Sequence, residues 1–236
     1  MEIKAVLFDL DGSLLPMDQE VFVNDYFGRI ARHLAPYGFE PKTLIDAIWR
    51  GTGAMVKNDG RMTNEERFWS VCEGLLGADV REREPYFDEF YVKEFDKVAA
   101  SCGKDPEAAE VISRLKAAGY RLILATNPIF PAIATQKRIA WAGLLPSDFE
   151  LVTTYENSSF SKPSLEYYKD ILARCELAAE DCVMVGNDVG EDMVAERLGM
   201  RTFLLTRDLI NRTGADISAY PKGTLKDACD FILSIG

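Results

Sequence analysis

The 236-residue chain is 47% hydrophobic and 28% charged, an ordinary globular composition with length enough for a large core. Its 27 basic against 38 acidic residues leave a net charge of −11, which argues against a general nucleic-acid binder and requires any phosphate site to carry its own local positive charge. One histidine, His33, rules out multi-histidine metal cages and leaves a Ser-His-Asp triad no other base.

Residues 3–10, IKAVLFDL, form a short apolar run rich in β-formers and closed by Asp-Gly, the pattern of a buried parallel strand. From about 17 to 103 the chain reads as helices only. Phe22, Tyr26, Phe27, Ile30 and Leu34 recur at helical spacing, Thr63 and Glu66 form a capping box before a run through Leu76, and Tyr86–Val98 is amphipathic. Asp105-Pro106 starts a helix that Gly119 stops. Strand-like segments then follow at 121–126, 150–154, 182–186 and 201–206, with helices expected at 131–142, 164–175, 190–198 and 224–235. Strands alternating with helices predict an α/β fold with a mostly parallel sheet, helices on both faces. The expected division is a core of 1–16 and 104–236, with an all-helical module at 17–103. The start of the chain lacks signal-peptide anatomy, and no segment approaches ~18 uninterrupted apolar residues. Five scattered cysteines without a CxxC read as reduced core thiols. A cytoplasmic protein without membrane or nucleic-acid partners is expected, acting as a monomer or homodimer.

Open α/β sheets bind ligands outside the carboxyl ends of their strands. The first strand ends in Asp9-Leu10-Asp11-Gly12-Ser13, the next in Thr126-Asn127, and the strand at 182–186 runs into Asn187-Asp188, with Asp192 a turn further on. Lys162 precedes the helix at 164. Taken singly, Asp-x-Asp-Gly is more often a turn, Asp-x-x-x-Asp a solvated helix face, and Lys-Pro a loop. Together they place four carboxylates, a hydroxyl, an amide and a lysine on one sheet edge. Clustered carboxylates repel one another, and a divalent cation relieves this. An all-oxygen site with few ligands suits magnesium, and lysine and threonine supply donors to phosphate oxygens. Phosphoryl transfer is the chemistry such a set can perform.

FDLDGS (8–13), LATN (124–127), SKP (161–163) and VGNDVGED (185–192) resemble, in content and order, the motifs of haloacid dehalogenase-like phosphohydrolases with a helical cap inserted after the first strand. The resemblance covers essentially the whole chain, except that the module at 17–103 matches only in position and helical character. It implies a Rossmann-like core and a magnesium-dependent phosphatase of a small phosphorylated metabolite. Asp9 would be the nucleophile and Asp11 the general acid and base. Asp9, the Asp11 carbonyl and Asp188 would hold the metal. Thr126, Asn127 and Lys162 would hold the phosphoryl group, with Gly12 and Asp192 in support. A sugar-phosphate phosphomutase is the alternative on this fold. Asp11 argues against a dehalogenase, which needs no acid for its leaving group. Asp-x-Asp on one strand, with a long insert behind it, argues against a response-regulator receiver.

Departures from the family pattern are Ser13, where threonine is commoner, and Pro128, which removes a backbone N–H beside Asn127. In the helical module, Asn24, Arg50, Lys57, Arg61, Trp49, Trp69 and Tyr86 are candidates to face the substrate. Arg50-Gly51-Thr52-Gly53, read as a loop between helices, is the stretch expected to bring charge over an anionic substrate. Hinges are expected near Pro16 and Gly103.

Overall fold

The computed structural model describes residues 3–236. Six strands lie in the order β3-β2-β1-β4-β5-β6, every pairing parallel: β1 (Ala5–Phe8), β2 (Arg121–Leu124), β3 (Leu151–Val152), β4 (Cys182–Gly186), β5 (Arg201–Leu205) and β6 (Lys222–Gly223). Every residue of β1 and β4 is buried, as a strand covered on both faces requires. Val6, Phe8, Leu124 and Val185 face one apolar layer, while Ala5, Leu7, Ile123 and Met184 face the other. Phe8 pairs with both Leu124 and Val185, so the ends of β1, β2 and β4 are level. That register fixes where the loops carrying Asp9, Thr126 and Asp188 begin.

Between β1 and the rest of the sheet lie α1 (Gln19–Leu34), α2 (Pro41–Val56), α3 (Asn64–Leu76) and α4 (Glu84–Lys93). The remaining helices are α5 (Pro106–Ala117), α6 (Ala132–Trp141), α7 (Leu165–Arg174) and α8 (Leu225–Ile235). The expected caps form: Asp105 accepts from the Glu107 N–H with Pro106 in the first turn, and Thr63 and Glu66 make a reciprocal capping box. The two connections to the helical segment run side by side. Met17 bridges Cys102, and the Gly103 N–H donates to the Pro16 carbonyl at 2.8 Å. A Cβ on Gly103 would fall 2.8 Å from the Pro16 ring, so the close approach requires glycine.

Three local expectations are corrected, and one strand is added. The helix expected over 86–98 is α4 ending at Lys93, followed by a 3₁₀ stretch, Phe95–Ser101. There Phe95 and Val98, three apart and both buried, share a face, which the 3₁₀ period provides. The helix expected over 190–198 is a shorter 3₁₀ segment, Met193–Leu198, because the Asp188 and Asp192 carboxylates take backbone N–H groups and hold the preceding residues as turns. Residues 50–53 are no loop but the interior of α2. Gly51 is there because a Cβ would meet the Phe68 ring at 2.6 Å, so α2 and α3 pack closely across it. The two-residue strand β6 is too short to carry a periodic signal. Among the described residues, no helix is long and apolar enough to cross a membrane.

Candidate active site

The Asp9 N–H donates to the Val185 carbonyl at 2.9 Å, so this carboxylate is fixed by the sheet although it lies one residue past β1. The chain then turns sharply at Gly12, where φ is +79° and a Cβ would lie 2.4 Å from Asn187 Nδ2. No other residue type fits that position without displacing Asn187. Ser13 Oγ bonds Asn187 Oδ1 at 3.0 Å and lies 3.3 Å from Asp9 Oδ2, while Asn187 Nδ2 donates to the Asp208 carbonyl at 2.6 Å. The ends of β1 and β4 are thus cross-linked by side chains. Serine serves where threonine was the commoner choice.

Lys162 is the pivot. Its Nζ is buried and donates to Asp9 Oδ1 at 2.8 Å and to Asp192 Oδ1 at 2.6 Å. Burial pulls its pKa down, but Asp192 and Asp9 override this and hold it well above the usual lysine range, so it stays charged. Burial pushes Asp192 up to about 7, with Lys162 opposing and Asp9 adding to the rise. The second Asp192 oxygen accepts from the Asp188 N–H at 3.0 Å. Asp192 therefore ties Lys162 and the Asp188 loop together.

Thr126 is buried, and its carbonyl accepts from Thr153 Oγ1 at 2.7 Å and from the Tyr167 hydroxyl at 2.9 Å, which pins the loop after β2 to β3 and α7. Asn127 Nδ2 donates to Glu191 Oε2 at 3.0 Å, and its buried Oδ1 has no partner. Asp9, Asp11, Thr126, Asn127, Asp188 and Asp192 line one cavity of about 330 Å³. Lys162 stands directly behind Asp9.

Sequence reasoning missed three residues here. Arg138, on α6, is buried and ion-pairs through Nη1 with Asp11 Oδ2. Its guanidinium also lies 4.4 Å from the Phe130 ring centroid and donates to Thr135 Oγ1 at 3.2 Å. Burial raises the Asp11 pKa, Arg138 opposes this, and Asp9 adds to it. Asp11 Oδ1 is buried without a partner. The available signal was a charge on the apolar face of α6, in step with Ala134 and Thr135. The second is Arg212, which pairs with Asp188 Oδ2 at 2.7 Å and lines the cavity. The third is Glu191, whose pKa is raised by burial and which faces Asn127. Of the candidates in the helical segment, Trp49 reaches the cavity. Trp69 is core and Tyr86 stacks on Tyr37. Arg50 does not line the cavity: it is exposed on α2 and paired with Asp46 one turn away, a position set by helical geometry rather than by a loop.

The donor set open to a hard cation is all oxygen. Gly190 and Glu191 N–H groups occupy Asp188 Oδ1, Asp188 Oδ2 is held by Arg212, which a cation bound there would have to displace, and Asp9 keeps Oδ2 beyond its bond to Lys162. Among the described residues, no three His, Cys, Asp or Glu side chains gather into a metal cage. Two carboxylates with a main-chain carbonyl suit magnesium, which keeps several waters and shares its shell with substrate oxygen.

An α/β sheet that presents paired carboxylates and a buried lysine at its carboxyl edge defines the class of enzyme. The chain belongs to the haloacid dehalogenase-like hydrolases, whose family model matches residues 3–199. Within that family it falls in the phosphatase branch. It is 25% identical to the glyceraldehyde 3-phosphate phosphatase of Methanocaldococcus jannaschii, covering 99% of this chain and 98% of that one. It is 26% identical to the phosphoglycolate phosphatase of Colwellia psychrerythraea, covering 93% and 90%. In fold it is similar to 2-haloacid dehalogenase from Pseudomonas syringae pv. Tomato, with a TM-score of 0.64 at 20% identity over 98% of each chain.

Proposed function

We propose that the chain is a magnesium-dependent phosphomonoester hydrolase acting on a small phosphorylated metabolite through an aspartyl-phosphate. The observation that carries this reading is the buried Lys162 Nζ bridging Asp9 and Asp192, with Asp9 and Asp11 opening onto the cavity that Asp188 also lines. Asp9 Oδ2 attacks phosphorus in line, forming the Asp9 O–P bond as the ester P–O bond breaks. Asp11 gives its proton to the departing alkoxide, then takes one from the water that attacks phosphorus and frees Asp9. The raised Asp11 pKa serves the first of these roles, because a carboxylic acid must hold a proton to donate one. Lys162 and the Thr126–Asn127 loop balance charge on the phosphoryl oxygens. Asp9, the Asp11 carbonyl and Asp188 would hold magnesium, which when bound offsets the repulsion between carboxylate and phosphate. Residues 1–16 and 104–236 form the catalytic core in this account, and 17–103 the cap that shelters the site.

Hydrolysis of an aryl phosphate with and without magnesium tests the reading, beside an Asp9→Asn control. Magnesium-dependent turnover lost in the variant is expected. Turnover indifferent to both overturns it.

A further inference from the structure

A second cavity, of about 90 Å³, lies among α1, α2, α3 and α4 and the segment after β2. Val23, Trp49, Ile129 and Phe130 line both it and the larger cavity that holds Asp9, so the two adjoin across a shared wall. Protein interiors pack densely and seldom keep a void of several waters' volume without a use. The lining is aromatic and aliphatic. Of its three tyrosine hydroxyls, those of Tyr26 and Tyr91 bond each other at 2.9 Å, and the remaining polar groups of the lining residues apart from Asp88 are neutral: the Tyr155 and Thr52 hydroxyls and the indole N–H groups of Trp49 and Trp69, of which Trp69 Nε1 is buried without a partner. Among the described residues, the one charged side chain lining this cavity is Asp88, and no lysine, arginine or histidine of residues 17–103 lines either cavity. The single cation facing the larger one, Arg212, comes from the loop after β5 and is engaged by Asp188 and Gln19.

We infer that the smaller cavity is the leaving-group subsite and that it takes an apolar alkyl or aryl group, so the substrate class is monoesters whose only anionic group is the phosphate. The inference rests on the phosphomonoesterase reading above. A second anionic group would enter an apolar chamber beside Asp88 with no cation to pair it, a costly burial. An apolar cavity of ~150 Å³ stays dry and accepts benzene. At about 90 Å³ this one suits a short alkyl chain or the edge of a ring. Trp49, half exposed and packed on Phe27, stands where the two cavities meet, and Phe130 is held from behind by Arg138.

The test is kcat/KM, in magnesium, for n-alkyl phosphates from methyl to octyl, beside the pentyl-length ester that ends in a carboxylate. The expected series rises about fourfold for each methylene that enters the cavity and then levels. The carboxylate-ended ester falls at least about tenfold below its alkyl counterpart. Thr52→Phe, which fills the cavity from α2, flattens the series. The comparison of esters on the unaltered chain stands whether or not that variant folds. A flat series, or a carboxylate-ended ester equal to or better than the alkyl one, overturns the inference while leaving the phosphatase reading in place. Failure to hydrolyse any of these esters or an aryl phosphate overturns both.

Discussion

Arg138 Nη1, fully buried on α6, is ion-paired with Asp11 Oδ2. The same guanidinium packs on Phe130, which touches Phe22 and Tyr26 of α1 at ring-centroid distances of 6.1 and 5.5 Å. One side chain therefore connects the proposed acid/base to the aromatic seam between sheet and helices. Arg138→Gln should cost about 3 kcal/mol of stability, because breaking a buried pair leaves its partner uncompensated. Denaturant midpoints check this, and Arg138→Lys should recover part of the loss. A midpoint unchanged in Arg138→Gln would show the pair to be idle.

Lys162→Met removes the charge shared by Asp9 and Asp192, both of which then face each other's field. The expected loss in kcat is at least about 100-fold, the magnitude of removing one preorganised donor from a reacting oxyanion. KM should change less than kcat. A variant with kcat within a few-fold of the parent would remove Lys162 from the phosphoryl site.

Gly12→Ala introduces a Cβ 2.4 Å from Asn187 Nδ2 at a φ of +79°. Strain at such a position costs on the order of 1–3 kcal/mol. Asn187 must also leave Ser13 or the Asp208 carbonyl, so activity should fall together with thermal stability. A variant of parental Tm and kcat would show that the turn relaxes freely.

Much of this arrangement was legible in the sequence, and the reasons differ by element. β1 and β4 are fully buried on both faces, and their unbroken apolar runs mark them without ambiguity. Asp9, Thr126, Asp188 and Lys162 were found because each sits at the carboxyl end of a strand or just before a helix, a position that topology alone singles out. The Arg138–Asp11 pair spans 127 residues and is encoded only by an arginine on an apolar helix face. The sequence carries the anomaly but not its partner. Arg50 failed for the opposite reason. Two flanking glycines read as a loop, yet Gly51 serves the close contact of α2 with Phe68. Glycine marks a backbone that needs room, and sequence does not say whether a turn or a neighbouring helix demands it.

The cysteines should behave as core thiols. Burial pushes Cys72 and Cys182 up to about 12 and Cys102 up to about 11, so none is a thiolate near neutrality. In the native protein at pH 8, a thiol reagent should label them far more slowly than in the denatured chain. Rapid labelling of Cys182 without unfolding would contradict its burial at the start of β4.

The most direct test of the account is acid quenching of the enzyme during magnesium-supported turnover of an aryl phosphate, followed by mass mapping of its peptides. The predicted result is one phosphoryl group on the peptide containing Asp9, absent in Asp9→Asn. Sustained turnover with Asp9 unmodified, and with Asp9→Asn as active as the parent, would contradict it.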